Sequence, residues 1–422
     1  MSGPANGNGA NGNGAHVNGA VATAAKVVAE APPKDAIEVL WYLTGPDGHY
    51  PWRADGSRAL DWTYLRQVAG AIDHLGYSGA LLATGVHDTW VLASTLARET
   101  ERMRFLIAVH PPLISPVLAA KMAATFDQFS GGRTILNIVA GDANTLKSNG
   151  VPLNHTDRYA YTSEWIKIWR RVLQGETVDF DGDFLKVEGG RVPLPPVQKP
   201  TPPLWFGGAS PEALESAAEN IDTYLSWGEP PAATAERIKQ VKELAAKHGR
   251  EDKLRFGIRL YIITRETDDL AWAATRDLLD HMDPESVGRI QQMFNRTDSV
   301  GQQRMAALHG GNIPSNVRDL EIHPNLWAGL GLVRPGPGTA IVGSPETVLE
   351  TIQQYRDAGI ETFIVSGFPL LEEAYRIAET ILPHLPVVHD LDAQADPAGR
   401  AAPLLDAARH TWTQQVPGVP SR

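Results

Sequence analysis

Two hydrophobic periods take turns along residues 36–387. Short, mostly apolar runs are separated by stretches in which apolar residues return every three or four positions, the spacing of one helix face. The runs at 38–43, 79–83, 104–109, 134–139, 204–206, 223–227, 256–263 and 362–365 predict eight strands. Each is too apolar to have a face for water, so together they predict a parallel sheet covered by helices. A closed (β/α)8 TIM barrel is the simplest α/β architecture with eight such units. The rival, a doubly wound open sheet, lacks its dinucleotide fingerprint, because Gly329-Leu330-Gly331-Leu332-Val333-Arg334 carries Arg where a third Gly is needed.

The alternation breaks twice. After the fourth run come a helix at 161–173 and a polar segment with strand-like pieces at 177–180 and 184–187. Between the seventh and eighth runs lie nearly a hundred residues, with helical pieces near 268–281, 284–294 and 300–308. This stretch ends in Gly- and Pro-rich sequence at 329–338 whose single charged residue is Arg334. Long insertions on a barrel gather among the βα loops at its catalytic end, so about 282–342 is expected to form a lid. Residues 1–35, nearly all Gly, Asn, Ala and Val, cannot repay the entropy of ordering and read as a disordered tail. Residues 388–422 read as a C-terminal extension with helical periodicity at 401–414.

Composition narrows the chemistry. Lys and Arg total 38 against 49 Asp and Glu, a net charge of −11 without a basic run, which argues against nucleic acid or an anionic membrane as partner. There is no cysteine, so disulfides, thiolate catalysis and iron–sulfur sites are excluded, and redox chemistry must come from a bound organic cofactor or a metal held by His and carboxylates. No His-Glu-x-x-His motif occurs and the 13 histidines lack ligand spacing, so no metal site is expected. With neither a long apolar run nor a signal-peptide order at the start, the expected location is cytoplasmic.

One turn stands out chemically. Pro203-Leu204-Trp205-Phe206 runs as a strand into Gly207-Gly208-Ala209-Ser210, and a helix begins at Pro211. Paired glycines let the backbone approach a ligand closely, and the helix start offers unpaired N–H groups to an anion, as a phosphate cradle does. Taken alone the turn is weak, since most such corners bind nothing.

At this point the residues carry a resemblance. Asp47-Gly48-His49-Tyr50, Leu75-Gly76-Tyr77, Asp157-Arg158-Tyr159, the turn at 203–210, Tyr224 to Pro231, Phe256-Gly257-Ile258-Arg259, Thr297 to Arg304 and Ser366-Gly367-Phe368-Pro369 resemble the two-component alkanesulfonate monooxygenases. These belong to the flavin-dependent superfamily that includes bacterial luciferase, and the similarity runs in order from about residue 37 to residue 386. It implies a TIM barrel, most often a homodimer or homotetramer, that receives reduced FMN (FMNH2) from an NAD(P)H-dependent flavin reductase. Dioxygen (O2) would add to the flavin, and the peroxyflavin would oxygenate a small-molecule sulfonate, releasing sulfite and an aldehyde. A flavin would supply the redox chemistry that a cysteine-free chain cannot.

The resemblance also assigns residues. Gly207, Gly208, Ala209 and Ser210, with Arg158 and Tyr159, match the FMN phosphate site, although Ser210 equally reads as a helix cap. Asn137 matches a polar position beneath the flavin ring, and Trp227 a pocket wall. Arg259 and Arg334 match substrate arginines. Arg259 lies within an apolar strand and must pair with something, whether a sulfonate or an internal carboxylate. His49 reads evenly as structural or active-site. Where the family has Arg-Leu-His and Ser-Gly-Tyr-Pro-His, this chain has Arg259-Leu260-Tyr261 and Ser366-Gly367-Phe368-Pro369-Leu370. A substrate-shifted enzyme is one consequence, with Tyr261 or His87 restoring a polar group. Three functions stay open: sulfonate monooxygenase, peroxyflavin monooxygenase of another substrate, and flavin-binding protein without oxygenase activity.

Overall fold

The computed structural model describes residues 35–294 and 297–391. The tail at 1–34 and the helical stretch at 401–414 lie outside the described residues. Eight strands, β1 Glu38–Tyr42, β2 Gly79–Leu82, β3 Arg104–Val109, β4 Thr134–Ile138, β5 Leu204–Gly207, β6 Thr223–Trp227, β7 Arg255–Thr264 and β8 Thr362–Ser366, occupy the eight apolar runs. Each pairs in parallel with the next, and β8 closes on β1 with Glu38 opposite Thr362 and Trp41 opposite Val365. The expected TIM barrel is what the chain forms.

Helix starts follow local chemistry. Ser115-Pro116, Ser210-Pro211 and Ser344-Pro345 each open a helix the same way. The serine hydroxyl accepts an N–H of the first turn, and proline takes the first helical position, where its missing N–H costs nothing. The apolar stripes of these helices close over the outer faces of the strands. Inside the barrel, Leu40, Leu81, Leu106, Ile135, Trp205, Leu225 and Ile364 form a separate filled layer. Gly257 belongs to that layer, since a Cβ there would come within 2.7 Å of the Leu225 side chain.

Beneath this layer the base of the barrel is charged. Glu38 and Arg104 are both fully buried and ion-paired, Thr362 donates to Glu38 at 3.3 Å, and Arg255 stands 3.9 Å from it. The chain just past Val387 seals this end: Leu391 N–H donates to Glu38 at 3.0 Å, and Asp390 lies 3.4 Å from Arg104.

The insertion before β8 is built on β7. That strand is ten residues long, and its first half pairs with β6 and β8. From Tyr261 to Thr264 it pairs instead with a parallel strand, Ala340–Gly343, which carries the short antiparallel strands Leu326–Trp327 and Glu321–His323. None of these three was expected from the sequence. The helices Asp268–Asp280, Pro284–Phe294 and Val300–His309 lie where their periodicity indicated. Part of the insertion has its own apolar core, including Trp272, Trp327, Leu330, Leu332 and Val342.

Candidate functional site

The C-terminal ends of the strands open into a cavity of about 1460 Å³. Loops after β2 to β6 form one side, and the helices Pro284–Phe294 and Val300–His309 form the other. This is the face on which TIM barrels carry their sites, and the volume exceeds the roughly 300–1,000 Å³ of a single-ligand pocket.

Of the residues that the sequence singled out, Gly207, Gly208, Ala209, Arg158, Tyr159 and Trp227 line this cavity. Ser210 is buried just behind them. Its hydroxyl accepts the Ala213 N–H at 3.2 Å, so it acts as a helix cap, and it lies close enough to Tyr159 to pull the phenol pKa down against burial. Burial pushes the Tyr159 phenol up, leaving it a hydrogen-bonding group at neutral pH. Arg158 is 2% exposed, and its Nη1 donates to Asp298 at 2.8 Å while its Nε is buried without a partner among the described residues. Asp298 belongs to the insertion, so the arginine expected to hold a phosphate is met by a carboxylate from the covering segment.

Asn137 is not on the cavity wall. It sits in β4 between Ala108 and Trp205 in register, on the strand face that carries Ile135 into the inner layer. Trp227 ends β6 and supports the covering helix, where a Cβ on Gly301 would lie 3.3 Å from its ring.

Arg259, Arg334 and Tyr261 form a second group, between β1, β7 and the insertion. The Arg259 guanidinium lies 4.6 Å from the Tyr42 ring centre and 4.4 Å from that of Tyr261, and Arg334 faces the same rings at 5.6 and 5.1 Å. Arg259 donates to Ser366 Oγ at 2.7 Å and to the Leu260 carbonyl. Among the described residues neither arginine is ion-paired with a carboxylate, and Arg334 Nη1 is buried with no hydrogen-bond partner. Burial lowers both guanidinium pKa values, Arg259 to about 9 and Arg334 to about 10, against the opposing pull of Tyr42. The arginines do not line the large cavity but adjoin it, Arg259 through its register partner Trp227 and Arg334 through the lining residue Pro335. Two converging guanidinium groups, Arg259 buried and Arg334 half-buried, make an anion site.

His49 lies apart. It is exposed and borders, with Tyr261 and Phe368, a small separate cavity of about 70 Å³. Tyr261 and Phe368 pack ring to ring at 5.2 Å. His87, by contrast, does line the large cavity.

The sequence reading missed the contacts that hold the cover in place. Arg304 reaches Glu229 at 3.0 Å, and burial pushes the Glu229 carboxyl up while Arg304 pulls it back. Gln302 accepts the Gly336 N–H at 2.7 Å and so ties the covering helix to the segment bearing Arg334. The sequence reading also passed over His110, a cavity-lining residue that follows β3. Its signal was a lone polar residue between an apolar strand and Pro111. Among the described residues no helix is long and apolar enough to cross a membrane, and no group of three or more His, Asp or Glu could hold a metal.

Comparison with solved structures places this barrel among known ones. Riboflavin lyase with a modified FMN and riboflavin superposes with a TM-score of 0.67 at 18% identity, over 87% of this chain and 100% of that one. EDTA monooxygenase from Chelativorans sp. BNC1 gives 0.67 at 16%, over 83% and 93%. The coenzyme F420-dependent tetrahydromethanopterin reductase of Methanopyrus kandleri gives 0.60 at 17%, over 83% and 99%. The sequence model of the luciferase-like monooxygenases matches residues 45–362, from just past β1 to the first residue of β8. With that match over most of the barrel, the chain belongs to the luciferase-like monooxygenase family.

Proposed function

We propose that this protein is a two-component flavin-dependent monooxygenase that oxygenates a small organic anion, with an organosulfonate as the first candidate. The observation that carries the reading is the pair of buried Arg259 and half-buried Arg334, which meet over Tyr42 and Tyr261 without a carboxylate between them among the described residues. A tetrahedral oxyanion such as a sulfonate accepts two guanidinium groups and removes the cost of leaving them unpaired.

The cavity fits FMN. The backbone at Gly207–Ala209 and the Tyr159 hydroxyl border one end, where Arg158 Nε lacks a partner, a donor set suited to a phosphate. Phe206 and Trp227 offer apolar surface for a flat ring. Reduced FMN, when bound, supplies the electrons that activate dioxygen. The chain's own residues would do the rest. Arg259 and Arg334 hold the anion, Tyr42 and Tyr261 wall its carbon portion, and Arg304 with Glu229 keeps the cover closed against water. Reduced FMN would arrive from a separate NAD(P)H-dependent reductase, and the cytoplasm and a homo-oligomeric state complete the reading.

A second reading, oxygenation of a non-sulfonate substrate, is favoured by Phe368. It packs on Tyr261 at 5.2 Å and makes this side of the site dry. The purified protein, supplied with a flavin reductase, NADH, FMN and oxygen, should release sulfite from some member of a sulfonate panel. Substrate-dependent oxygen uptake without sulfite would select the second reading. Failure to take up reduced FMN at micromolar concentration would overturn both.

A further inference from the structure

We propose that His110 is the proton-accepting base of the large cavity, acting through its Nε2. Its place is set by the chain. It follows β3 directly, and the Pro111 ring confines the preceding residue to the extended backbone it adopts, with φ −95° and ψ 102°. The parallel ladder runs one step past the strands, Val139 N–H donating to Val109 O at 2.8 Å, which brings the Val139 carbonyl beside the imidazole.

The ring nitrogens then have separate tasks. His110 Nδ1 lies 3.0 Å from the Val139 oxygen. A carbonyl can only accept, so in the neutral ring Nδ1 carries the hydrogen and Nε2 keeps its lone pair. Among the described residues Nε2 has no protein partner, it is not among the sealed polar atoms, and the residue lines the cavity. Burial lowers the His110 pKa, so the base is unprotonated at neutral pH. Asp142 is the charged group that acts on the ring in the opposite sense. Hydrogen bonds from Thr145 and Asn144 hold its carboxyl below the usual range against burial, so it stays anionic and favours the imidazolium once formed.

The other two cavity imidazoles lack this arrangement. Among the described residues His87 Nδ1 is buried without a partner to set its tautomer, and His155 Nδ1 faces Glu212 at 3.8 Å. In the step itself, a proton passes from the reacting substrate to Nε2, the electron pair of the broken bond stays on the substrate, and the proton then leaves to water through the cavity mouth.

The proposal rests on the flavin monooxygenase reading only for the identity of the reaction, and its first test needs no turnover. In flavin-free protein, ring nitrogen NMR at pH 7 should show His110 with Nδ1 protonated and Nε2 bare. Diethyl pyrocarbonate should label His110, and FMN should suppress that labelling at least tenfold. An Nε2–H tautomer, or labelling indifferent to FMN, overturns the proposal. His110→Asn keeps a donor for the Val139 carbonyl but no base. It should melt with the wild type and bind FMN equally, yet lose about 10²- to 10⁴-fold in kcat together with the acid limb of the pH profile. Unchanged kcat and pH profile in this variant would show a structural cap and nothing more. Absence of turnover in the wild type, beside the expected NMR and labelling, would count against the monooxygenase reading and leave the base assignment supported.

Discussion

Replacing Arg259 with methionine tests whether the arginine serves the fold or opposes it. The residue is 5% exposed and has no carboxylate partner among the described residues, and burial lowers its pKa to about 9. That depression corresponds to roughly 5 kcal/mol of unfavourable charge burial at neutral pH, as an order of magnitude. The sign follows from protonation. Below about pH 9 the guanidinium is charged in both folded and unfolded chains, so the penalty is present in full, and it is relieved only as pH rises above that value. Against it stand two cation–π contacts, on Tyr42 and Tyr261, worth about 0.5–2 kcal/mol each, and a hydrogen bond to Ser366 worth about 1.5–3 kcal/mol. The terms nearly cancel. Arg259→Met, similar in length and apolar, should therefore leave stability unchanged or raise it by about 1–2 kcal/mol, measured by urea unfolding. Breaking an ordinary buried ion pair would instead cost about 3–5 kcal/mol. In the same protein, methanesulfonate at a hundred times its dissociation constant should stabilise the wild type by about 2.7 kcal/mol and the variant not at all. A variant destabilised by more than 2 kcal/mol, with no anion effect on the wild type, would refute the reasoning and make Arg259 a structural strut.

Two further outcomes follow from buried charges elsewhere. Glu38→Gln removes the anion that Arg104 and the Leu391 N–H share at the barrel base, and should cost about 3–5 kcal/mol in urea unfolding without weakening FMN uptake. A loss of FMN affinity as large as the loss of stability would tie the base to the site and contradict the separation drawn here. His309 in the covering helix is 6% exposed, and burial lowers its pKa to about 4. The unfolded chain takes up this proton below about pH 6.5 and the folded chain only near pH 4, so stability should fall across that window by about 3 kcal/mol. His309→Gln should flatten this part of the stability profile, and an unaltered slope would show that other groups govern it.

How much could be read in advance depended on where the information sat. The eight barrel strands were legible because each is apolar on both faces over its own length, a property local to five or six residues. Ala340–Gly343 was not, since its parallel pairing is with the second half of β7, and nothing near it in sequence announces that partner. The 203–210 turn was legible as a place where backbone approaches a ligand. The Ser210 cap is local too, but that Tyr159 faces the cavity beside it depended on a helix that begins about fifty residues earlier. The same holds for the charges. Arg259 showed itself as a cation within an apolar strand, yet the absence of a carboxylate beside it, and the presence of Asp298 beside Arg158, are matters of which loops meet above the barrel.

Hydrophobic period and turn chemistry, which act over neighbouring residues, therefore specified the staves, most of the helices and the end of the barrel where chemistry belongs. Folding alone decided which polar groups from distant loops converge there, because burial and distance set the worth of a charge, and both come into being only when the barrel closes. His110 shows the division: its strand and its proline are written locally, while the Val139 carbonyl that sets its tautomer belongs to the next stave.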